Sequence, residues 1–308
     1  MTTAEPLGLP GPALLFCPAD RPDRYGKALA VADGVILDLE DGAGADRKDA
    51  ARAALLATPL DPSRVIVRVN AVGTAEHEAD VAALRQTGYR LVMLPKAETS
   101  AQFDHLDDRW QVIALCETPA GILNAAQIAA LPTVTAVMWG AEDLTAAIGG
   151  RSSRHPGGRY RDVARHARSA ALLAAAASGK GAIDSVYTDI PDTVGLAAEA
   201  QDAAASGFAA KACIHPSQVP VVQASFQPDE VQVAWARRVL DAVRASAVRN
   251  AAQRASGAIK VDGQMIDAPL IRQAEAILAA VRLARPAPGQ GEETLEAYFI
   301  QSERERAC

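Results

Sequence analysis

Eight short apolar, strand-like runs recur along the chain of 308 residues, at 13–16, 34–39, 65–69, 91–94, 112–115, 136–139, 182–187 and 210–214. Stretches of helical composition separate them, among them 46–57, 76–87, 100–106, 122–130, 163–178 and 194–206. Strands that alternate with helices build a parallel sheet, because parallel neighbours need a long crossover. Eight such units in one chain of this length favour a closed (β/α)8 barrel over an open sheet. No glycine-rich GxGxxG follows the first run, which counts against a dinucleotide-binding fold and a nicotinamide or flavin cofactor.

The barrel is expected over residues 13–225, preceded by a Pro/Gly-rich surface segment at 1–12. Residues 226–285 form a C-terminal extension: a long helix at 230–246, a tight-turn signal at Asp262-Gly263 suggesting a small hairpin, and a helix at 270–283 that Pro269 can open. Residues 286–308 read as a peripheral or disordered tail. Hydrophobic residues make up 49% of the chain but aromatics only 4%, so the core must be built from Ala, Val, Leu and Ile. The net charge of −6 argues against a nucleic-acid or anionic membrane surface. No run reaches the length of a membrane span, and the N-terminus has no secretory pattern. Cys17, Cys116, Cys213 and Cys308 show no CxxC spacing. They read as reduced thiols of a cytoplasmic protein.

In such a barrel the chemistry collects where the strands end. The runs deliver polar residues there: Asp20 and Arg21, then Asp38, Glu40 and Asp41, then Arg68 and Asn70, then Lys96, Glu117, Glu142 with Asp143, Asp189, and His215. Two carboxylates at the mouths of consecutive strands, Glu117 and Asp143, suit Mg²⁺, which takes one or two carboxylates plus water and substrate oxygens. The alternative is that each acid only favours a helix start. Arg68, inside an apolar run, needs a partner. A substrate carboxylate or forming oxyanion is one option, and an ion pair with Glu40 or Asp41 the other. Lys96 is a possible Schiff-base lysine, and His215 either a catalyst or a hydrogen-bonded wall residue. The loop 149–159, with Arg151, Arg154 and Arg159, is a mobile ligand clamp or a solvated surface loop.

Seven motifs carry a resemblance: Asp38-Leu-Glu-Asp41, Val67-Arg-Val-Asn70, Glu117-Thr, Gly140-Ala-Glu-Asp-Leu144, Gly181-Ala-Ile-Asp184, Ile214-His-Pro-Ser-Gln218 and Asp262-Gly-Gln-Met-Ile-Asp267. In this order, over roughly residues 13–284, the chain resembles the citrate lyase β-subunit and malyl-CoA lyase group of the HpcH/HpaI aldolase superfamily. The resemblance implies a Mg²⁺-dependent carbon–carbon lyase acting on an acyl thioester such as citramalyl-CoA or malyl-CoA, giving acetyl-CoA and a 2-oxo acid. It makes Glu117 and Asp143 the metal ligands, Arg68 the holder of the oxo-acid oxygen, and Asp267 the catalytic acid. Phe16, Arg21 and Lys27 match its CoA-contacting positions, Ile214 and His215 a further thioester-contacting pair. Glu142 joins the substrate-binding set, with Glu40 and Asp41 behind it. A homotrimer or dimer of trimers is implied, in which the segment bearing Asp267 closes over a neighbouring barrel. Three alternatives stay open: a malate-synthase-like condensing enzyme with thioesterase activity, a β-subunit acting on an acyl carrier protein, and a CoA-independent oxo-acid aldolase.

Overall fold

The structure is a computed structural model, described here for residues 8–253 and 259–283, with side chains for 8–246 and 259–281. Through Phe226 the described chain alternates as expected: β1 (Ala13–Pro18), α1 (Pro22–Val31), β2 (Gly34–Asp38), α2 (Lys48–Ala57), β3 (Val65–Arg68), α3 (Ala75–Leu84), β4 (Leu91–Leu94), β5 (Gln111–Cys116), α4 (Pro119–Ala129), β6 (Val134–Trp139), α5 (Ala141–Ala147), α6 (Asp162–Ala177), β7 (Gly181–Asp184), α7 (Thr193–Ser206), β8 (Ala210–Cys213) and α8 (Val219–Ser225). The strands pair in parallel, in sequence order, and β8 closes onto β1. The fold is a (β/α)8 barrel.

Two expected elements differ. The stretch 100–106 makes only a single 3₁₀ turn, Ser100–Phe103, closed by a capping box between Thr99 and Gln102. The run 182–187 stops pairing at Asp184, because Ser185 and Val186 already turn into the mouth.

Side chains along each strand point alternately in and out, and that period of two organises the molecule. Leu14, Ile36, Ile66, Met93, Ile113, Leu115, Met138, Ile183 and Ala212 point inward and fill the barrel as one apolar cluster. Their neighbours in sequence, such as Leu15, Val35, Leu37, Val67 and Val137, pack against the helices in the second cluster. Helix faces are small there: α6 buries Ala164, Ala167, Ala171, Ala174 and Ala175. With so few aromatics, close approach of alanine faces to aliphatic strands supplies the packing that large rings give elsewhere. The segment expected on the surface is partly drawn in: Leu9 packs against the barrel-interior cluster and lies beside Gly181 at the start of β7.

A second compact unit begins at Gln227. It holds α9 (Glu230–Gln253), a hairpin of β9 (Ile259–Val261) and β10 (Gln264–Ile266), and α10 (Ala268–Leu283). Asp262 and Gly263 both have positive φ, 50° and 84°, as the tight two-residue hairpin turn requires. Its own core is Ala236, Val239, Val261, Ile266 and Ala274. The tail at 286–308, with Cys308, lies outside the described residues.

Candidate active site

At the C-terminal mouth of the barrel lies a cavity of about 350 Å³. Most of its lining continues the inward-facing strand positions. Leu14 leads to Phe16, Ile36 to Asp38, Ile66 to Arg68, Leu115 to Glu117, Met138 to Gly140, Ile183 to Ser185 and Ala212 to Ile214. On β2, β3 and β5 the apolar interior therefore gives way to charge one step beyond its last layer. Asp41, Glu142 and Asp143 complete the acidic rim.

Arg68 is clamped. Its Nε donates to Asp38 Oδ1 at 2.7 Å and its Nη2 to Asp38 Oδ2 at 2.6 Å. Its Nη1 lies 3.0 Å from Glu40 Oε2, and its guanidinium sits 4.9 Å from the centroid of the Phe16 ring. Asp38 is itself held by backbone N–H groups of Glu40 and Gly42, at 3.0 and 2.8 Å. The ion-pair reading thus holds for Glu40 but not for Asp41, which is exposed on the cavity rim. Strand parity explains the difference: 36, 38 and 40 share a face, and 41 does not. The same parity would have picked out Asp38 and Ser185, which the search for charged strand ends left without a role.

Glu117 is buried, and its carboxyl is pushed up to about 8, first by burial and then by the charges of Asp143 and Glu40. Gly140 makes room for it: a Cβ there would lie 2.7 Å from Glu117 Cβ and 2.8 Å from Oε2. The Lys96 backbone N–H donates to Glu117 Oε1 at 3.1 Å, while its ammonium donates to Glu40 Oε1 at 2.5 Å. Lys96 reaches both from a left-handed backbone, φ 50°, a conformation that costs a non-glycine residue about 1–3 kcal/mol. Its amine is thereby committed to an ion pair, which leaves no support for a Schiff base. Asp143 is half-buried at the start of α5, and Glu142 beside it accepts from the Ser153 hydroxyl at 2.7 Å.

Among the described residues no three His, Cys, Asp or Glu side chains converge to hold an ion by themselves. Two crowded carboxylates, one of them buried and resisting ionisation, match a hard cation that takes its remaining ligands from water and substrate. The donor set therefore fits Mg²⁺.

Ile214 lines the cavity; His215 is exposed, does not line it and caps its own 3₁₀ turn, accepting from Ser217 N–H at 3.2 Å. Arg21 is half-buried and forks onto Asp23 with two 3.0 Å hydrogen bonds, and Lys27 is exposed on α1. Neither lines the cavity. Asp267, in the second unit, is exposed and caps α10, accepting from Leu270 N–H at 3.4 Å. Its neighbours Met265, Ala268 and Pro269 are exposed as well, and Ile266 is buried. In the loop 149–159, Arg154 is anchored rather than solvated, forking onto Glu199 and stacking 3.7 Å from the Tyr160 ring centroid. Cys17, Cys116 and Cys213 are buried, and burial pushes their thiols up to about 11, 12 and 12. They are inert packing residues.

The inward strand ends of the barrel thus bring a clamped arginine and two crowded acids into one cavity. The chain belongs to the HpcH/HpaI aldolase/citrate lyase family, whose model matches residues 13–216. It is 54% identical over 268 residues to a citrate lyase subunit beta-like protein of Mycobacterium tuberculosis, covering 87% of this chain and 94% of that one. It is 32% identical over 296 residues to the mitochondrial citramalyl-CoA lyase of Homo sapiens, covering 87% and 84%. The crystal structure of CitE from Mycobacterium tuberculosis in complex with magnesium, acetoacetate and coenzyme A matches with a TM-score of 0.81 at 53% identity, over 88% of this chain and 98% of that one.

Proposed function

We propose that the chain is a Mg²⁺-dependent carbon–carbon lyase. It cleaves, and reversibly forms, a 3-hydroxy-3-carboxyacyl-CoA such as citramalyl-CoA or malyl-CoA, releasing acetyl-CoA and a 2-oxo acid. The observation that carries this reading is the juxtaposition in one cavity of buried Glu117, Asp143 and the Asp38-clamped Arg68. Glu117 and Asp143 hold the cation, which supplies Lewis-acid polarisation of the substrate oxygens when bound.

Arg68 keeps N–H groups directed at the cavity while Asp38 and Glu40 fix its plane. It donates to the substrate oxygen that becomes the carbonyl of the 2-oxo acid. Leu115, Met138 and Val186 wall the cavity and exclude water from that oxygen. Phe16 and Ile214 at the rim flank the thioester, and Arg21 and Lys27, outside the cavity, meet the phosphates of CoA. The carbon that departs as a thioester enolate is protonated by Asp267. That group, a carboxylic acid before the transfer, is presented by the second unit of a neighbouring copy in a homotrimer or dimer of trimers.

The test is turnover of citramalyl-, malyl-, methylmalyl-, citryl- and hydroxymethylglutaryl-CoA with product identification. Release of acetyl-CoA and a 2-oxo acid from citramalyl-, malyl- or citryl-CoA, or of the corresponding acyl-CoA and oxo acid from the others, supports the lyase. Accumulation of free CoA and a hydroxy acid instead would replace it with a thioesterase.

A further inference from the structure

Between the sheet and helices α6 and α7, on the outward faces of β7 and β8, lies a buried ionic cluster. Lys211 is fully buried. Its Nζ donates to Asp184 Oδ2 at 3.1 Å, to Glu199 Oε1 at 2.9 Å and to the Ser185 carbonyl at 2.7 Å. Asp184 also accepts from Trp139 Nε1 at 2.8 Å and from Arg168 Nε at 3.0 Å. Burial alone would raise the Asp184 carboxyl, but the Lys211 and Arg168 charges outweigh it and hold it below the ordinary value. A barrel wall does not need such a cluster, since well-packed apolar side chains would serve its stability as well.

Glu199 is the hub, and both of its arms end at the turn bearing Glu142 and Asp143. On one side it holds Lys211, which grips the Ser185 carbonyl, and the Ser185 hydroxyl accepts from the Ala141 N–H at 3.1 Å. Ala141 is the first residue of α5, directly before the two acids. On the other side Glu199 takes the fork of Arg154 at 2.6 and 3.1 Å and accepts from the Tyr160 hydroxyl at 3.1 Å. Arg154 follows Ser153 in the loop, and the buried Ser153 donates to Glu142 Oε1. One carboxylate outside the barrel thus tethers the backbone and a side chain of the acidic turn.

We infer that Glu199 is a positioning residue: through Lys211–Ser185 and Arg154–Ser153 it fixes the Glu142–Asp143 turn in the geometry that binds the cation. The inference rests on the reading that Glu117 and Asp143 hold the metal. Groups that orient ligands without touching the ion commonly govern metal affinity by 10–100-fold.

The experiment titrates the full-length protein with Mn²⁺, read by electron paramagnetic resonance of the free ion. Glu199→Gln should raise the Mn²⁺ dissociation constant at least tenfold. Because Glu199→Gln removes a charge facing buried Lys211 and can unfold the barrel, Arg154→Met is the second variant, approached from the loop. It should weaken Mn²⁺ by a similar factor, and Arg154→Lys, which still reaches one Glu199 oxygen, should recover part of the loss. Combining Arg154→Met with Ser153→Ala should weaken Mn²⁺ by less than twofold beyond the larger single effect, as members of one chain do. Folded variants with lowered melting temperature but unchanged Mn²⁺ affinity would overturn the inference, as would effects of Arg154→Met and Ser153→Ala that multiply independently. Unsubstituted protein that binds no Mn²⁺ would overturn the metal reading itself, and this inference with it.

Discussion

Arg68 and Asp38 face each other across neighbouring strands as a two-pronged pair, at 2.7 and 2.6 Å, with Glu40 on the third guanidinium nitrogen. The pair is buried at the floor of the mouth, where the Asp38–Arg68 register of β2 and β3 places the two side by side.

Removing either partner should be costly in different ways. Asp38→Ala leaves a buried guanidinium with Glu40 alone, and breaking a buried pair costs about 3–5 kcal/mol. Chemical denaturation should report the lower end, since Glu40 still compensates. Arg68→Lys keeps the charge but cannot fork. The protein should stay folded while kcat falls by roughly 10²-fold, the scale of a lost oxyanion donor. Wild-type kcat in Arg68→Lys would remove Arg68 from the chemistry.

Glu117 gives the metal-free protein a pH signature. Its carboxyl titrates at about 8 in the folded state against 4.5 ordinarily, so the folded protein binds more protons between those values. The stability contribution is complete below about 4.5 and is lost as pH rises through about 8. Melting temperature without metal should therefore fall over that window in the native protein more than in Glu117→Gln. Since only the ionised carboxylate binds the cation, Mg²⁺ affinity should rise by about tenfold per pH unit below the titration point, with proton release detectable by calorimetry. Identical pH profiles for the two proteins would show that Glu117 is not the perturbed group.

How much of this was legible follows from parity and charge. Alternation of apolar runs with helical stretches carried the barrel, and the inward parity of 36, 66, 115 and 138 carries on to Asp38, Arg68, Glu117 and Gly140. Charge at a strand end alone was too coarse. It grouped His215 with Glu117, although 215 is on the outward parity and caps its own turn. Nor did it separate Glu40 from Asp41. The left-handed Lys96 was invisible, because only the packed mouth imposes that backbone. The ionic cluster around Glu199 was hidden as well: its members come from β7, β8, α6, α7 and a loop, and only the closed barrel brings them together.

Asp267 separates two roles. As a cap it accepts from Leu270 N–H, which asparagine can do equally well. Asp267→Asn should thus leave melting temperature and Mg²⁺ binding unchanged. As the proton donor it should lose turnover by roughly 10²-fold or more, and exchange of the acetyl-CoA methyl hydrogens should stop. Mixed oligomers of Asp267→Asn and Arg68→Ala chains should regain part of the activity if the segment serves a neighbouring barrel. An active Asp267→Asn enzyme would reduce the residue to a cap.

The most direct test of the central claim is turnover of citramalyl-CoA and malyl-CoA by the unsubstituted protein, with Mg²⁺ and after exhaustive chelation, alongside Glu117→Ala and Asp143→Ala. Release of acetyl-CoA and a 2-oxo acid should depend on Mg²⁺, vanish with chelator and return on adding the ion back. Both variants should stay folded and inactive at any Mg²⁺ concentration. Undiminished cleavage in chelator, or full activity in either variant, would contradict that claim.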